Sequence, residues 1–173
     1  MIQSLILSVI TMFSAQNIQV GEMGLDWKVG DKADYSMDIG GFIKGSMNML
    51  VREQNDRGFW VNQDADLGFA GKQKIEILFD KNTGEVLEML VNGEKQTPPE
   101  PGDMEIIETK QEKITVPAGT FDSMFVKMKD TKSNDISDAW INPELVPISG
   151  MLKTIADSQI GKVNIALKSY KKN

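Results

Sequence analysis

The side chains that most often carry out chemistry in proteins are missing from this sequence. It contains no cysteine and no histidine, which excludes disulfides, thiolate nucleophiles and the usual ligand sets for zinc, haem and iron-sulfur clusters. Serines are present, but no Gly-x-Ser-x-Gly segment occurs, and a serine without histidine would need a lysine base that spacing does not identify. The sequence therefore predicts no catalytic residue, no metal site, no cofactor and no enzymatic activity.

One pair of carboxylates has a spacing that could do chemistry. Asp64 and Asp66 are two residues apart, so on a strand they would share one face. Such a pair could act as an acid and a base or could hold calcium. Carboxylates at alternate positions are also what a solvated strand face carries, and this second interpretation is the one we favour.

Methionine is the most informative residue type, since the chain contains 11 of them. Its flexible thioether side chain adapts to irregular apolar shapes, so an apolar face rich in methionine either fills a core or lines a pocket for a flexible apolar ligand. Met47 and Met49 would also place two sulfurs on one face, as in a thioether copper(I) site, but no cysteine or histidine supports that interpretation. The candidate residues for lining a ligand cavity are Met37, Met47, Met49, Met124, Met128 and Trp140.

The elements that would position these residues are β-strands. Met47, Met49 and Val51 would share one face of a strand, with mostly polar residues on the other, and Ile75, Ile77 and Phe79 repeat the pattern. Strict alternation over short runs is typical of a sheet with one wet face. We therefore expect an all-β fold, or a β-rich α+β fold with few short helices, in which about ten strands form a curved antiparallel meander that closes into a barrel or stays open as a half barrel.

Turn-forming residues separate these runs. The segment 80–84 ends in a glycine that can take positive φ, and Asn92-Gly93 is a second turn signal. Prolines concentrate in 97–102, which predicts a loop or a crossing between two halves of the sheet. The segment 105–116 reads as one strand or two short ones, 150–156 is ambiguous between strand and helical turns, and 159–170 is the last predicted strand.

Two motifs resemble those of a known group of proteins. They are I-T-V-P-A-G-T-F at 114–121 and W-I-N-P-E-L-V-P-I-S-G-M-L-K at 140–153, with a weaker similarity in W-K-V-G-D at 27–31. These stretches resemble motifs of uncharacterised exported bacterial proteins related in architecture to the LolA/LolB-like periplasmic lipoprotein carriers. The resemblance covers about 60 residues of the C-terminal half and implies a curved sheet around an apolar cavity, with no ligand residue transferable. Because no lipobox cysteine is present, it implies a soluble, LolA-like arrangement.

The N-terminus predicts export. Residues 1–15 form a short uncharged apolar run that ends in small residues and is typical of a signal peptide, and the run is too short to predict a transmembrane span. We interpret 16–26 as a loose lead-in and 27–173 as one β domain. The predicted location is periplasmic or otherwise exported, or cytoplasmic if the apolar run is not a signal peptide.

Net charge narrows the expected partners. At −6, the chain lacks the basic excess that nucleic-acid binding requires. We expect a non-enzymatic periplasmic protein that binds or carries a lipid or acyl chain in the concavity of its sheet. The alternative is an envelope structural or interaction protein with a filled core, which binds another envelope protein through a sheet edge or a loop.

Overall fold

The computed structural model describes residues 24–98, 104–158 and 161–173, which form eleven strands and one short 3₁₀ turn, Gly68–Ala70. The predicted signal peptide, 1–15, and residues 16–23 of the predicted lead-in lie outside the described residues. The strands are β1 (Lys32–Ile39), β2 (Ile43–Gln54), β3 (Gly58–Asp66), β4 (Lys72–Asp80), β5 (Val86–Val91), β6 (Glu94–Gln96), β7 (Met104–Val116), β8 (Gly119–Asp130), β9 (Ile136–Ile141), β10 (Met151–Ala156) and β11 (Val163–Lys171).

All eleven strands belong to one antiparallel sheet, in the order β6-β5-β4-β3-β2-β1-β11-β10-β9-β8-β7. The sheet consists of two meanders that join where the first strand pairs with the last, and it remains open, with β6 at one edge and β7 at the other. This confirms the predicted all-β antiparallel class. The strands on either side of the proline-rich segment, β6 and β7, lie at opposite edges of the sheet. Residues 99–103, which include most of the predicted loop or crossing, lie outside the described residues.

One face of the sheet carries the core. On β1, Tyr35, Met37 and Ile39 are buried, while the residues between them are partly exposed. The same alternation continues through β2, β3 and β4, because successive side chains of a strand point to opposite faces. We call the side of the buried residues the inner face and the opposite side the outer face.

The predicted turns are present. Gly84 has φ 72°, Asn92 has φ 53° and Gly93 has φ 85°, so the left-handed conformations expected from the sequence occur at these positions. The ambiguous segment 150–156 is the strand β10, and the segment 105–116 is the single strand β7. The last strand begins at Val163, four residues later than predicted.

The sheet is curved, so that the β7–β8 hairpin at one edge contacts the central strand β11. The tip of the β7–β8 hairpin reaches β11, where the Ala118 amide donates to the Leu167 carbonyl oxygen at 3.0 Å. Phe121 packs edge-on against Tyr170, with ring centroids 6.3 Å apart. At the other half, Trp27 packs against Phe59 and Phe79, with centroid distances of 5.9 and 5.3 Å.

Candidate interaction site

Three of the predicted cavity residues lie together on the inner face. Met37, Met47 and Met49 are at most 4% exposed and belong to one large apolar cluster. The side chains that line an empty cavity keep area accessible to a water-sized sphere, and these side chains have almost none. Their surroundings are packed as a protein interior is. Ligand binding by these residues therefore stays a prediction, and the structure places them in a filled core.

Two buried amides interrupt this apolar face. Gln63 lies opposite Met49, and its Nε2 lies 2.9 Å from the Met47 sulfur. Gln73 is 5% exposed, and neither amide atom of its side chain has a hydrogen-bond partner. A buried amide without partners costs free energy, which makes this end of β3 and β4 the least satisfied part of the core. Sequence analysis did not single out Gln73, because its amide interrupts the apolar pattern that begins at Ile75.

The other two predicted methionines lie away from the first three. Met128 is buried in a second, smaller cluster with Val126 and Ala139. Met124 is 39% exposed, although it shares the inner face with Met128. The structure therefore does not bring the five methionines into one lining.

Trp140 is on the opposite face of the β8–β9 pair from Met124 and Met128. In the β8–β9 register, Met124 lies opposite Ile141 and Phe125 lies opposite Trp140, so Trp140 is one residue out of phase with the inner face. Its ring centroid lies 5.1 Å from that of Phe125, and its indole nitrogen donates to Glu112 at 2.6 Å. Trp140 packs at the margin of the large core cluster and does not share a cavity with Met124.

The proline-containing motif after Trp140 covers the core. In the loop 142–150, Val146 and Ile148 are buried in the large cluster. The Tyr35 hydroxyl donates to the Met151 carbonyl oxygen at 3.2 Å and lies 3.3 Å from the Ser149 hydroxyl. Complete burial raises the pKa of Tyr35 well above its usual range, so this phenol stays neutral and acts as an anchor for the loop.

A groove of about 760 Å³ runs across β1 to β4, from Ser169 on β11 to Asn92 just after β5. Most of its lining is polar and belongs to the outer face, but the predicted cavity residue Met47 is also part of the lining. Asp34 lies in it, bound by the Ser169 hydroxyl at 2.8 Å and by the Asn48 amide at 2.6 Å. Burial opposes ionisation of Asp34, but these two hydrogen bonds and nearby Lys32 hold its pKa below the usual value. Asp64 and Asp66, the carboxylate pair considered in the sequence, line the same groove.

Lysine side chains lie among the carboxylates of this groove. Asp66 pairs with Lys72 at 3.0 Å. Within the three described ranges, no group of three or more acidic residues is arranged to hold a metal ion. In the described part of the chain, no helix has the length and apolar character needed to cross a bilayer.

The second long exposed feature is the edge strand β7. It has 13 residues and pairs with β8 along its length. Seven consecutive residues, 105–111, are exposed, including Ile106 at 62% and Ile107 at 50%. Sequence analysis identified this strand but not its place at an edge, because the position depends on how β1 and β11 pair.

From Glu108 to Lys113, the charged residues of β7 alternate in sign. Lys110 lies 3.3 Å from Glu108 and 3.4 Å from Glu112. The hydrogen bond to Glu108, followed by the charges of both glutamates, raises the pKa of Lys110. The net charge in the middle of β7 is therefore close to zero, and the two exposed isoleucines lie just before this charged stretch.

This chain is similar to several solved structures at low sequence identity. The hypothetical protein CT021 from Chlamydia trachomatis is similar at 14% identity and TM-score 0.54, over 85% of this chain and 89% of that one. A putative exported protein with YmcC-like fold from Bacteroides fragilis has 11% identity and TM-score 0.44, over 88% of this chain and 100% of that one. MucB in the Pseudomonas aeruginosa MucA/MucB complex has 8% identity and TM-score 0.48, over 94% of this chain and 55% of that one.

At 14% identity, the likeness to the chlamydial protein is one of fold. No family model and no curated protein matches the sequence. The resemblance of the two sequence motifs to the LolA/LolB-like group therefore stays a prediction, and the likeness found is one of sheet architecture.

Proposed function

We propose that this protein is a non-enzymatic binding protein of the bacterial cell envelope, which docks an extended segment of a partner polypeptide along β7. The observation that carries the proposal is the exposed stretch 105–111 at the open edge of the sheet. Export rests on the apolar run 1–15, as predicted from the sequence.

Backbone chemistry favours a polypeptide at this edge. Among the described strands, β7 has a hydrogen-bonded neighbour only on the β8 side, so its other side presents amide and carbonyl groups. An added strand can pair with such groups, and pockets for alternate side chains then give specificity. The opposite edge strand, β6, has three residues, all of them exposed and polar, which is too short to guide a partner.

Side chains along β7 suggest what the partner segment carries. Ile106 and Ile107 offer an apolar contact where β7 shifts register against β8, and a bulge of this kind ends regular pairing. We expect a partner strand to pair along 108–113 and to place an apolar residue against the isoleucines. The paired charges around Lys110 favour a partner of mixed charge over a strongly acidic or basic one.

A lipid carrier is the competing function. An acyl chain needs an apolar space and has no groups to pair with an open strand edge, while Met37, Met47 and Met49 fill the inner face. Native mass spectrometry of protein purified from its own compartment tests this alternative. We expect the mass of the polypeptide alone, and a co-purifying lipid whose removal changes stability would support the carrier instead.

The polypeptide proposal is tested by site-specific photo-cross-linking in the protein's own host. A photoreactive amino acid replaces Thr109 on β7 in one variant and Leu87, a half-exposed residue of β5, in another. We expect the Thr109 variant to give a discrete cross-linked polypeptide that the Leu87 variant does not give.

Binding by the purified components then decides the mechanism. The cross-linked partner segment, made as a peptide, should bind the wild-type protein and protect amides within 108–113 from hydrogen exchange. The double variant Ile106→Lys/Ile107→Lys should bind at least about tenfold more weakly, whereas Leu87→Lys should bind normally. Equal binding by both variants, or no cross-link specific to Thr109, would reject docking on β7.

A further inference from the structure

Two exposed phenylalanines lie on neighbouring turns at one end of the sheet. Phe69, in the β3–β4 turn, is 84% exposed, and Phe42, in the β1–β2 turn, is 60% exposed. The pairing of Ser46 with Asp66 brings these ends of β2 and β3 together, and β2 contacts the 3₁₀ turn that carries Phe69. Both rings therefore project from the same end of the sheet.

The backbone of each tip is paired internally. At the Phe69 turn, Leu67 donates to Gly71 at 2.8 Å, Ala70 to Leu67 at 3.1 Å, and Gly71 to Gly68 at 3.1 Å. The Gly68 amide donates to the Asp66 side chain at 3.0 Å. Leu67, at 1% exposure, anchors the turn in the core.

The Phe42 tip is built in the same way. The Gly41 amide donates to Asp38 Oδ1 at 3.0 Å. The Phe42 amide donates to the Ile39 carbonyl oxygen at 3.3 Å, and the Gly40 amide to that of Lys162 at 2.9 Å. Most amide groups of the two tips therefore already have partners, which lowers the cost of moving these turns from water into an apolar environment.

Charges beside the tips are balanced. Lys44 pairs with Asp38, and Lys72 pairs with Asp66 at 3.0 Å. The two lysine side chains remain 67% and 81% exposed. These pairs offer neither an acidic nor a basic surface, so the phenylalanine rings are the dominant feature of this end.

We propose that Phe42 and Phe69 insert into the interfacial layer of a lipid membrane and hold the protein reversibly at its surface. Aromatic rings are favoured at the boundary between headgroups and acyl chains. Two separate convex tips offer much less area than the roughly 1,000 Å² of a stable protein interface. A lipid surface accepts small protruding apolar groups without a complementary pocket.

The net charge of the chain indicates which type of lipid headgroup the protein would bind. With a net charge of −6, the protein is repelled by anionic headgroups. Zwitterionic lipid is therefore the expected surface, and binding through two rings should be weak and nearly independent of salt, because exposed charge contacts are what salt screens.

The test uses vesicles of phosphatidylcholine and phosphatidylethanolamine and the full purified chain. Wild-type protein should co-float with the vesicles, and the double variant Phe42→Ser/Phe69→Ser should partition about tenfold less. Val29→Ser is the matched control, since Val29 is 53% exposed and lies next to Gly30, whose amide binds the Val51 carbonyl oxygen near the opposite end of β2. This control should partition like the wild type.

A Phe69→Trp variant reports insertion directly. Its added fluorescence should shift to the blue with vesicles and be quenched by brominated acyl chains, while that of Val29→Trp should not. The proposal would be overturned if the wild-type protein did not co-float with vesicles, or if the double serine variant partitioned as strongly as the wild type. The two phenylalanines would then be candidates for contact with a protein partner. The Ile106→Lys/Ile107→Lys variant should still bind vesicles, so failure of the β7 proposal would leave membrane docking intact.

Discussion

At the scale of single residues, exposure divides the methionines into two groups. Met37 is 4% exposed within the large cluster, whereas Met124 is 39% exposed. We expect Met37→Ala to lower the free energy of unfolding by about 2–5 kcal/mol, because it leaves a cavity in a packed core. Met124→Ala should cost less than about 1 kcal/mol.

Urea denaturation of the two variants measures this difference. The slope of the unfolding free energy against urea should stay constant, so that the midpoint alone reports the change. A loss of less than about 1 kcal/mol for Met37→Ala would mean that its side chain adjoins free space, and the ligand-cavity interpretation would then regain support.

Asp34 links stability to pH. Its folded pKa is lowered by Ser169, Asn48 and Lys32, which outweigh the effect of burial. A lowered carboxyl pKa stabilises the fold above the unfolded value near 3.9, and this stabilisation is lost as the pH falls through the folded value. We expect Asp34→Asn to flatten the loss of stability below about pH 4.

The matched control for Asp34 is Asp64→Asn, which removes an exposed carboxylate from the same groove. Thermal unfolding between about pH 5 and pH 2 should show a shallower slope for Asp34→Asn than for Asp64→Asn. Identical slopes in the two variants would contradict the assignment.

At the scale of elements, two turns repeat one design. Asp80 accepts hydrogen bonds from the amides of Asn82 and Thr83, and Asp130 from those of Lys132 and Ser133. The fifth residue is left-handed in both turns, Gly84 with φ 72° and Asn134 with φ 62°. The turns therefore differ at the position where backbone freedom matters most.

Because of this difference, substitutions at the two equivalent positions should change the stability in opposite directions. Gly84→Ala should destabilise by about 1–2 kcal/mol, because an L-residue with a Cβ strains the left-handed conformation. Asn134→Gly should be neutral or stabilising, by at most about 1 kcal/mol, since it relieves that strain but makes the unfolded chain more flexible. Chemical denaturation of both variants against the wild type measures the pair, and a destabilising Asn134→Gly would show that the asparagine side chain contributes to the turn.

The local sequence predicted most of the strands and turns, but it predicted few of the contacts between them. Alternation located the strands, and Gly84 and Asn92-Gly93 located turns, because both signals depend on adjacent residues. The placement of Trp140 was not predictable in this way: both faces of Ile136–Ile141 mix apolar and polar residues, so periodicity does not choose between them. The burial of Met37 and the exposure of Met124 depend on what covers the inner face, which is decided by the distant loop 142–150 and by the hairpin tip at Ala118.

At the scale of the whole molecule, one apolar cluster joins the two meanders. It contains Phe59 and Met49 from the first meander, and Met151 and Val116 from the second. The pairing of β1 with β11, the first and last strands of the described chain, joins the two meanders in the middle of the open sheet. Such long-range pairing slows folding, but it also makes each half depend on the other for burial of its inner face.

We therefore expect the described sheet to unfold in one cooperative transition, and the tryptophans allow a test in each half. Trp27 packs on Phe59 and Phe79 in the first meander, while Trp140 packs on Phe125 in the second. A Trp60→Phe/Trp140→Phe variant leaves only Trp27, and a Trp27→Phe/Trp60→Phe variant leaves only Trp140. In each variant, tryptophan fluorescence and far-ultraviolet circular dichroism should give the same urea midpoint, because a two-state domain loses local packing and strand content together.

The substitutions themselves shift the midpoint, so the comparison is between the two signals within one variant. If the Trp140 signal changed at lower urea than the dichroism, the second meander, with β7 at its edge, would open separately from the first, and the shared cluster would not be what makes the molecule one unit.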